Sequence, residues 1–420
     1  MHREEDPMRI LFIHQNFPGQ FGRLAQALAA RPGNEVRALA TNRRPPPPGV
    51  KVDLYPLPSP VPGTFSRHPS IQEIETKVLR GDACAAACRT LRGQGFVPDV
   101  IIGHPGWGEM LRLAEVFPAA RIISYAEFFF KDRGSDHDFD PEFRLDTRET
   151  ALRRTLKNAV MDVAVRTSEA SVTPTQWQAS GFPGALRERL HVIHDGIDTH
   201  EIRPRPNAWI QVGSRRLTRA DRVITFTTRY LEPLRGIHSF LRALPRVMER
   251  DRHAQVIVVG REDGGYWSRP PGPSHRERFL AEVRDRVDLS RIHFFTWVER
   301  QYYLPLLAIS SAHVYLTYPF VLSWSLMEAM ATGASIIGSN TPPVAEVITD
   351  GVTGRLVDFH DTEALADRIL ESLEDAALRQ RLGLAARATI VRQYDQESVC
   401  LPRWLSLIDR VAAGPQRFTA

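Results

Sequence analysis

Short runs of apolar, mostly branched residues recur along the chain, and a segment with helical periodicity follows most of them. Residues 9–14 and 35–40 are two such runs, and residues 23–31 between them have the apolar spacing of a helix. Further buried strands are predicted in the first half at 98–103, 121–126, 170–173 and 190–194. This alternation is typical of a parallel sheet covered by helices.

The same alternation starts again in the second half, with strands predicted at 222–228, 254–260, 292–296, 313–316 and 335–338. A chain of 420 residues is too long for one ordinary core. The sequence therefore predicts an α/β protein with two Rossmann-like, doubly wound domains. We place an N-terminal acceptor domain at 1–205 and a C-terminal donor domain at 206–395. Residues 396–420 are expected to form a tail or helix that packs back on the first domain.

Composition excludes several classes of protein. The hydrophobic fraction of 43% and the charged fraction of 25% are typical of a soluble globular chain. The sequence contains no run of about 18 apolar residues that could span a bilayer, and its start lacks a signal-peptide core. The three cysteines fit neither a disulfide framework nor a metal site, so a reducing, cytoplasmic location is expected.

The charge balance favours an anionic ligand. The formal net charge is +5, and almost all of the basicity comes from arginine. Guanidinium groups pair with two phosphate oxygens at once, which suits a polyphosphate ligand or an anionic membrane surface. The arginines are scattered among acidic residues rather than gathered in a stripe, so no nucleic-acid partner is expected.

Two arginines follow the first predicted strand of the second half. Arg229 and Arg235 are six residues apart, and Gly236 after them can begin a helix without steric hindrance. Ligands of doubly wound sheets bind beyond the carboxyl ends of the strands, so this pair is placed to bind a pyrophosphate. It would also stabilise the charge on a departing nucleoside diphosphate. The alternative is a pair of solvated surface arginines.

A second anion site is predicted where the strand at 313–316 leads through a short turn into a helix. Phosphate groups are attracted by the free amide groups at a helix start, here around Leu322, Ser323, Trp324 and Ser325. One turn further on, Glu328 lies on an otherwise apolar helix, where burying a carboxylate is costly unless it is bound. A ribose diol is a suitable partner, since a carboxylate accepts from two hydroxyls.

Together these segments resemble the retaining glycosyltransferases of the large GT4 family, which have the GT-B fold. The motifs that carry the resemblance are Arg229 with Arg235-Gly, Val258-Val-Gly260, Glu328-Ala-Met-Ala-x-Gly333, Asp350-Gly-Val-Thr-Gly354 and His194-Asp-Gly-Ile-Asp198. The similarity covers nearly the whole chain. It implies two domains that face each other across a cleft, a nucleotide-sugar donor, and no metal or other cofactor.

The resemblance also implies roles for individual residues. Arg229 and Arg235 would bind the diphosphate, with Arg235 in place of the usual lysine. Glu328 would bind the ribose, and the amides at the helix start would bind the phosphates. The backbone at Trp297 and Val298 would contact the base.

Phe320 departs from the family pattern. It stands where a carboxylate that contacts the donor sugar is usual, and phenylalanine accepts no hydrogen bond from a sugar hydroxyl. Either the donor is unusual, another group binds its hydroxyls, or activity is lost. Glu127 lies just past a predicted strand, at or near the position of a histidine that touches the sugar in the family. It is a candidate catalytic residue and a candidate replacement for the missing carboxylate.

Four more candidates follow strands of the first half. Gly19 and Gln20 are candidate donor contacts, because they lie in a turn that resembles the family's glycine-rich loop, where backbone amides approach phosphate or acceptor. His14, at the end of the first strand, is a candidate acceptor contact. His104 opens the turn His104-Pro-Gly-Trp-Gly-Glu109 at another strand end and is a candidate catalytic residue. The alternative for this histidine is a structural role.

Asp136 and Asp138 belong to the segment Asp136-His-Asp-Phe-Asp140, which is similar to the metal motif of the other transferase fold, GT-A. That motif should follow a buried strand, whereas this segment lies in a polar loop. We therefore expect an acceptor-side loop in which Asp136 and Asp138 contact the acceptor, without a metal.

The predicted function is retaining transfer of a GDP- or UDP-linked sugar to a small-molecule acceptor in bacterial natural-product biosynthesis. A narrower resemblance, to the S-glycosyltransferases of lincosamide pathways, implies a thiol acceptor such as ergothioneine. The alternatives are a polysaccharide or lipid-linked glycan acceptor, a nucleotide-sugar epimerase or hydrolase on the same fold, and a non-catalytic protein that binds a nucleotide sugar. Membrane association and a homodimer stay open. A dinucleotide oxidoreductase is disfavoured because no Gly-x-Gly-x-x-Gly motif follows the first strand.

Overall fold

The computed structural model describes residues 7–57, 68–143, 148–266 and 272–414. Contacts between Cα atoms group these residues into two compact units. The first unit holds the described residues up to 133, those from 148 to 196, and the stretch 397–414. The second unit holds residues 134–143 and the described residues from 197 to 396.

The first unit is built on a parallel sheet of seven strands. In chain order they are β1 (Arg9–Ile13), β2 (Glu35–Ala40), β3 (Val50–Leu54), β4 (Val100–Gly103), β5 (Arg121–Tyr125), β6 (Ala170–Thr173) and β7 (Leu190–Val192). Their order across the sheet is β3-β2-β1-β4-β5-β6-β7, so the direction in which strands are added reverses between β1 and β4. The central strands β1 and β4 are buried almost throughout, which explains their continuous apolar sequences.

The helices of the first unit pack on this sheet. They are α1 (Gly22–Ala29), α2 (Pro69–Gly93), α3 (Leu113–Val116), α4 (Arg148–Thr167), α5 (Gln176–Ser180), α6 (Gly184–Arg187) and a C-terminal helix at Leu401–Ala413. In the core, Trp404 of the C-terminal helix packs against Phe21 and Tyr125, with ring centroids 6.5 and 6.4 Å apart. Arg31 forms an ion pair with Asp409 at 2.7 Å, which ties the same helix to the end of α1.

The second unit has a parallel sheet of six strands and a separate antiparallel hairpin. The hairpin strands are β8 (Trp209–Val212) and β9 (Arg215–Thr218). The sheet strands are β10 (Val223–Tyr230), β11 (Gln255–Arg261), β12 (Ile292–Phe295), β13 (Ala312–Tyr315), β14 (Ile336–Ser339) and β15 (Arg355–Val357). Their order is β12-β11-β10-β13-β14-β15, with the reversal between β10 and β13.

Seven helices accompany the second sheet. They are α7 (Ile237–Arg250), α8 (His275–Val283), α9 (Arg300–Ile309), α10 (Trp324–Ala331), α11 (Pro342–Ala345), α12 (Thr362–Glu374) and α13 (Ala376–Tyr394). Helix α7 shows why these segments are helical, because its apolar residues Phe240, Leu244 and Val247 recur at helical spacing and are buried. Within the ranges given above, no helix is both long and apolar enough to cross a membrane.

Residues 134–143, called here the inserted segment, belong to the second unit although they lie between β5 and β6 in sequence. The buried Asp140 carboxylate accepts hydrogen bonds from His238 Nε2 at 2.9 Å and from the Tyr318 hydroxyl at 2.7 Å. Burial acts to raise the pKa of Asp140, but these hydrogen bonds outweigh it and lower the pKa to about 2. Phe139 packs on Tyr318 and Phe359, with ring centroids 5.2 and 5.3 Å apart. The segment is therefore anchored in the second unit by a buried charge and by aromatic packing.

The prediction of an α/β chain with two doubly wound parallel sheets is confirmed. The structure adds strands that the sequence analysis did not predict. Strands β3 and β15 lie at sheet edges, and the hairpin strands β8 and β9 stand apart from the sheet. These strands are only partly buried, so their sequences carry a weaker apolar signal than the central strands do.

Candidate active site

In each unit, the order of the strands identifies the edge of the sheet, at the carboxyl ends of its strands, where a ligand is expected to bind. In a doubly wound sheet, ligands bind beyond the carboxyl ends of the strands at the point where the order reverses. In the second unit this point lies between β10 and β13. Arg229 is the second-to-last residue of β10, and Arg235 comes after that strand. Residues 322–325 and Glu328 come after β13. The structure thus brings these predicted donor residues of the second unit to one edge, whereas Gly19 and Gln20 lie in the first unit.

The Arg235 guanidinium is held by neutral groups. Its Nη1 donates to Thr317 Oγ1 at 2.9 Å and to the Val321 carbonyl at 3.1 Å. The Tyr315 hydroxyl lies 3.5 Å from the same nitrogen. These contacts tie the arginine to the turn after β13, so the position of its charge is fixed within this unit.

The positive charges at this edge have no carboxylate close to them. Within the described ranges, no ion pair at 4.0 Å or less is found for Arg229 or Arg235. Several other arginines of the same unit are paired, as Arg242 is with Glu142 at 2.7 Å. The Arg229 guanidinium instead lies 5.2 Å from the centre of the Tyr230 ring. Two uncompensated guanidinium groups at a sheet reversal form an environment suited to an anion.

Gly236 is required by the close approach of the two strand ends. Its φ of +72° lies in the left-handed region, and a Cβ built on it would collide with the Leu316 side chain. It caps the short 3-10 helix Pro233–Arg235 and begins α7. The glycine therefore allows Arg235 to lie against the turn after β13.

The turn into α10 is stabilised by its own side chains. The Ser323 amide donates to the Tyr315 hydroxyl at 2.8 Å, and the Ser325 amide donates to Ser323 Oγ at 3.3 Å. Leu322 is buried beside this turn, whereas the Trp324 side chain is exposed. A phosphate that binds at this helix start would therefore replace the Tyr315 hydroxyl and Ser323 Oγ as acceptors of these amide hydrogen bonds.

Glu328 is a largely buried carboxylate with one strong partner. Arg300 Nη1 donates to Glu328 at 2.9 Å, while the Nε and Nη2 of the same arginine each bond Glu201 at 2.8 Å. Burial raises the pKa of Glu328, and the hydrogen bonds from Arg300 and Tyr303 oppose that rise. Because Arg300 is anchored by Glu201, it can keep its place when Glu328 accepts a hydroxyl.

Phe320 lies in an apolar environment. It is buried, its ring packs edge-to-face on Tyr266 with centroids 4.6 Å apart, and the Arg235 guanidinium lies 5.7 Å from its centre. The neighbour Tyr266 is 65% exposed, so one aromatic side chain covers the other at the surface. The position that is a carboxylate in the family is thus part of an aromatic contact in this protein.

The predicted base contacts lie at the end of the edge strand β12. Trp297 and Val298 follow this strand, and the Trp297 ring is 67% exposed. The Arg261 guanidinium lies 5.4 Å from the Trp297 ring centre. An exposed aromatic surface at a strand end is compatible with base stacking.

In the first unit, the sheet reverses between β1 and β4, and a histidine follows each strand. His14 Nδ1 accepts from the Asn16 amide at 3.1 Å, and burial lowers the pKa of His14 to about 3, so the ring is neutral. A Cβ on Gly19 would collide with this ring, which explains the glycine. Gln20 hydrogen-bonds the His14 side chain. His14, Gly19 and Gln20 thus form one packed group.

His104 and Glu127 lie next to this group. His104 Nδ1 accepts from the Gly106 amide at 3.1 Å, which directs its other ring nitrogen toward Glu127, 3.5 Å away. Trp107 stacks on the His104 ring, with centroids 4.2 Å apart. The Glu127 side chain is 34% exposed and therefore open to a ligand. The structure brings together all five candidates of the first unit.

Asp136 and Asp138 are placed elsewhere, because the inserted segment belongs to the second unit. Asp138 accepts from the amides of Gly134 and Ser135 at 3.0 Å, and Asp136 accepts from the Ser135 hydroxyl at 2.7 Å. Both carboxylates thus stabilise their own turn, and an acceptor role for them stays a prediction. Across the described ranges, no group of three or more histidine, cysteine, aspartate or glutamate side chains could hold a metal ion.

The sequence analysis missed residues that orient the candidates. Arg300, at the first position of α9, and its partner Glu201 control the surroundings of Glu328. Thr317 and Tyr315 hold Arg235. A signal was present for Arg300, since a basic residue shortly after a strand end marks the ligand-binding edge of a parallel sheet.

Two family models match the chain, one in each half. Residues 32–202 match the model described as "Glycosyl transferase family 4 group". Residues 214–389 match the model described as "Glycosyl transferases group 1". Together they span most of the chain and all of the second sheet's candidate residues.

Curated relatives match over less than half of the chain. A phosphatidyl-myo-inositol mannosyltransferase of Mycobacterium leprae is 34% identical over 182 residues, which are 42% of this chain and 44% of the relative. A D-inositol 3-phosphate glycosyltransferase of Nocardia farcinica is 26% identical over 49% of this chain and 44% of the relative. The chain therefore spans somewhat under half the length of these relatives.

Solved structures share the fold over the full length. A sucrose-phosphate synthase from Thermosynechococcus elongatus has a TM-score of 0.71 at 17% identity, covering 97% of this chain and 100% of that one. The Anabaena protein Alr3699/HepE, solved in complex with UDP-glucose, has a TM-score of 0.64 at 15% identity, covering 95% of this chain and 100% of that one. These similarities establish the two-domain α/β fold of the GT-B type.

Proposed function

Because the chain belongs to the glycosyltransferases, with a family 4 group model matching its first half and a group 1 model matching its second, we propose that it transfers a sugar from a nucleoside-diphosphate sugar whose diphosphate is bound by Arg229 and Arg235. The observation that carries the proposal is the pair of guanidinium groups at the reversal between β10 and β13, for which the described residues supply no carboxylate within 4.0 Å. Arg235 is already oriented by Thr317 and Val321, so it loses little freedom when a phosphate binds.

These arginines would also stabilise the leaving group. When the bond between the sugar and the diphosphate breaks, negative charge grows on the phosphate oxygen. A fixed guanidinium stabilises that charge more in the transition state than in the bound donor, which lowers the barrier. Transfer with retention of configuration, in which the leaving phosphate accepts the acceptor's proton, is consistent with this arrangement and stays part of the proposal.

The identity of the donor base and the chemical class of the acceptor form a more specific part of the proposal. We infer a GDP- or UDP-linked donor and a small acceptor that carries a hydroxyl or thiol, including ergothioneine. Relatives named as inositol glycosyltransferases favour a polyol acceptor as a second candidate, and the relative named as a phosphatidyl-myo-inositol mannosyltransferase favours a lipid-linked one.

Calorimetric titration with GDP-mannose, UDP-glucose, UDP-N-acetylglucosamine and dTDP-glucose would identify the base. Mass spectrometry of mixtures with ergothioneine, inositol 3-phosphate or phosphatidylinositol micelles would then detect a glycosylated product. Donor binding without transfer to any acceptor would favour a non-catalytic nucleotide-sugar-binding protein. Rapid hydrolysis in the absence of acceptor would favour a hydrolase.

We expect Glu328→Gln to abolish discrimination between ribose and 2′-deoxyribose. The carboxylate would accept from the ribose hydroxyls, and a hydrogen bond to a charged group contributes about 1.5–3 kcal/mol. The wild type should therefore bind GDP roughly 10–150-fold more tightly than 2′-deoxy-GDP, or UDP more tightly than 2′-deoxy-UDP. The variant should bind both members of the pair alike, as measured by calorimetry.

Glu299→Gln is the matched control for this experiment, because Glu299 precedes α9 and its side chain bonds Gln301. It should keep the wild-type ratio. If Glu328→Gln keeps that ratio as well, the ribose assignment is wrong and the carboxylate serves only to position Arg300.

Glu127 is proposed to bind a substrate hydroxyl or thiol in the first unit. The His104 ring, fixed by Trp107 and the Gly106 amide, orients the Glu127 carboxylate within 3.5 Å. Both Glu127→Gln and Glu127→Ala should lower kcat/KM by about 10–150-fold, the loss of one hydrogen bond to a charged group. Steady-state kinetics with the donor and acceptor identified above would measure it.

Glu188→Gln provides the control, since Glu188 is exposed at the end of α6 in the same unit. Near-wild-type turnover in both Glu127 variants would remove Glu127 from the site. Tryptophan fluorescence provides a separate measurement, because Trp107 stacks on His104. The signal should change if a substitution disrupts the contact between these two rings.

A further inference from the structure

A second positively charged cavity lies at the opposite edge of the second unit's sheet. Its lining includes Ser310 and Ser311, which precede β13, and Ser335, which precedes β14. The donor residues follow the carboxyl ends of the same strands. A parallel strand of four residues rises about 13 Å, so the cavity and the donor edge are separated by the length of the strands.

The cavity has a floor of buried serines and walls that carry arginines. Its volume is about 380 Å³. Ser310, Ser311 and Ser335 are buried, whereas Arg219 is exposed and Arg379 is half-buried. The volume exceeds what a bare phosphate group needs, so there is room for a small organic body attached to it.

Arg379 is fixed in position by the protein. Its Nη1 donates to the carbonyls of Ser372 and Leu373 at 2.7 and 3.0 Å, at the end of α12. In the described part of the chain, no hydrogen-bond acceptor is found for its Nε or Nη2. One side of the guanidinium is thus anchored, and the other side remains available to a ligand.

Neither Arg219 nor Arg379 is held in an ion pair of 4.0 Å or less by the residues that the structure describes. The two closest acidic groups in sequence are engaged by backbone amides: Asp221 accepts from the Thr218 amide at 2.7 Å, and Asp375 accepts from the Leu378 amide at 2.9 Å. Both carboxylates therefore serve as local caps.

The arginines also repel one another. The pKa of Arg379 is lowered, first by burial and then by the positive charges of Arg219 and Arg222. Arg222 is itself paired with Asp251 at 2.5 Å, so the repulsion acts mainly between Arg219 and Arg379. Like charges held together destabilise the free protein, and a bound anion would relieve that repulsion.

We propose that this cavity is a second ligand site, separate from the donor edge, that binds a small phosphate monoester through Arg219 and Arg379. Guanidinium groups match the paired oxygens of a phosphate. The serine hydroxyls are already bonded within the protein, Ser310 to Thr225, Ser311 to the Asp221 carbonyl and Ser335 to Ser372, so the two arginines carry the recognition. The same phosphate chemistry occurs in soluble metabolites and in lipid headgroups, and the size of the cavity favours a soluble metabolite of sugar dimensions.

Calorimetric titration with inorganic phosphate and with glucose 6-phosphate, at constant ionic strength, tests the site on the full chain. Arg219→Gln should weaken binding of both by about tenfold or more, the loss of one charged contact. Arg216→Gln is the matched control, because its guanidinium lies 4.6 Å from the Trp209 ring centre rather than in the cavity. It should bind as the wild type does.

A vesicle assay distinguishes the two sources of phosphate. We expect no co-sedimentation that depends on Arg219 when the protein is mixed with vesicles of phosphatidylcholine and phosphatidylinositol 4-phosphate. Wild-type phosphate affinity in Arg219→Gln would overturn the proposal, and so would vesicle binding that requires Arg219 and is not competed by glucose 6-phosphate. Arg379→Lys keeps a positive charge but loses the paired donor geometry of the guanidinium. Its affinity for phosphate should therefore lie between those of the wild type and Arg219→Gln.

Discussion

Replacing Arg235 with glutamine is expected to lower kcat by about 10²–10³-fold, the usual cost of removing one group that stabilises transition-state charge. The variant loses a guanidinium that Thr317 and Val321 hold at the reversal of the second sheet, with no carboxylate within 4.0 Å among the described residues. Because that charge acts most on the departing diphosphate, KM for the donor should change less than kcat. Steady-state kinetics with the identified donor and acceptor would separate the two effects.

The control for Arg235 is Arg246→Gln. Arg246 lies on α7 and pairs with Asp367 and Glu363 on the surface, so its loss should leave kcat unchanged. Arg235→Lys should recover part of the rate, since it keeps the charge at the position where the family usually has lysine. Wild-type kcat in Arg235→Gln would contradict the proposed role of this residue in leaving-group stabilisation.

Asp140→Ala is expected to lower the free energy of unfolding of the second unit by about 3–5 kcal/mol. Two buried donors, His238 Nε2 and the Tyr318 hydroxyl, lose their acceptor, and each unpaired buried group costs about 1–3 kcal/mol. The lost side chain also loosens the inserted segment. Urea unfolding followed by circular dichroism would measure the change.

The same carboxylate gives the stability a defined dependence on pH. The pKa of Asp140 is lowered from 3.8 to about 2 in the folded chain. A depressed pKa contributes stability above the unfolded value, and this contribution of about 2 kcal/mol is lost as the pH falls from near 4 toward 2. Wild-type and Asp140→Asn unfolding curves should therefore converge over that interval.

A double-mutant cycle separates the hydrogen bonds from the packing. Tyr318→Phe removes one donor and keeps the ring that packs on Phe139. If Asp140 acts through Tyr318, the double variant should be less destabilised than the sum of the single variants. Asp138→Ala is a control on the same segment, because Asp138 only caps its own turn. An equal loss of stability in Asp138→Ala would argue that the segment, rather than the buried carboxylate, is responsible.

The sequence was informative where local rules and topology agree. Central strands such as β1 and β4 are buried almost throughout, so their apolar runs identify them. Arg229 and Arg235 were recognisable because they follow a strand and precede Gly236, whose φ of +72° only glycine adopts readily. The clustering of His14, His104 and Glu127 followed from their positions after strands of one sheet.

Other features depend on contacts between residues far apart in sequence. Arg300 bridges Glu201 and Glu328, and no local pattern pairs these three residues. The edge strand β3 has a weak signal because four of its five positions are at least partly exposed. Asp140 belongs to an acidic segment that resembles a polar loop, and its burial against Tyr318 depends on the fold of a different unit.

The inserted segment has a consequence for how the halves of this protein can be exchanged. The chain leaves the first unit after residue 133, returns to it by residue 148, leaves again after 196 and returns after 396. A chimera joined at residue 205 would therefore take its second half from one parent and Phe139 and Asp140 from the other. If the parents differ at those positions, Tyr318 and His238 lose their acceptor and an aromatic surface is uncovered. Functional recombination of such enzymes should succeed when residues 134–143 are inherited together with the second unit.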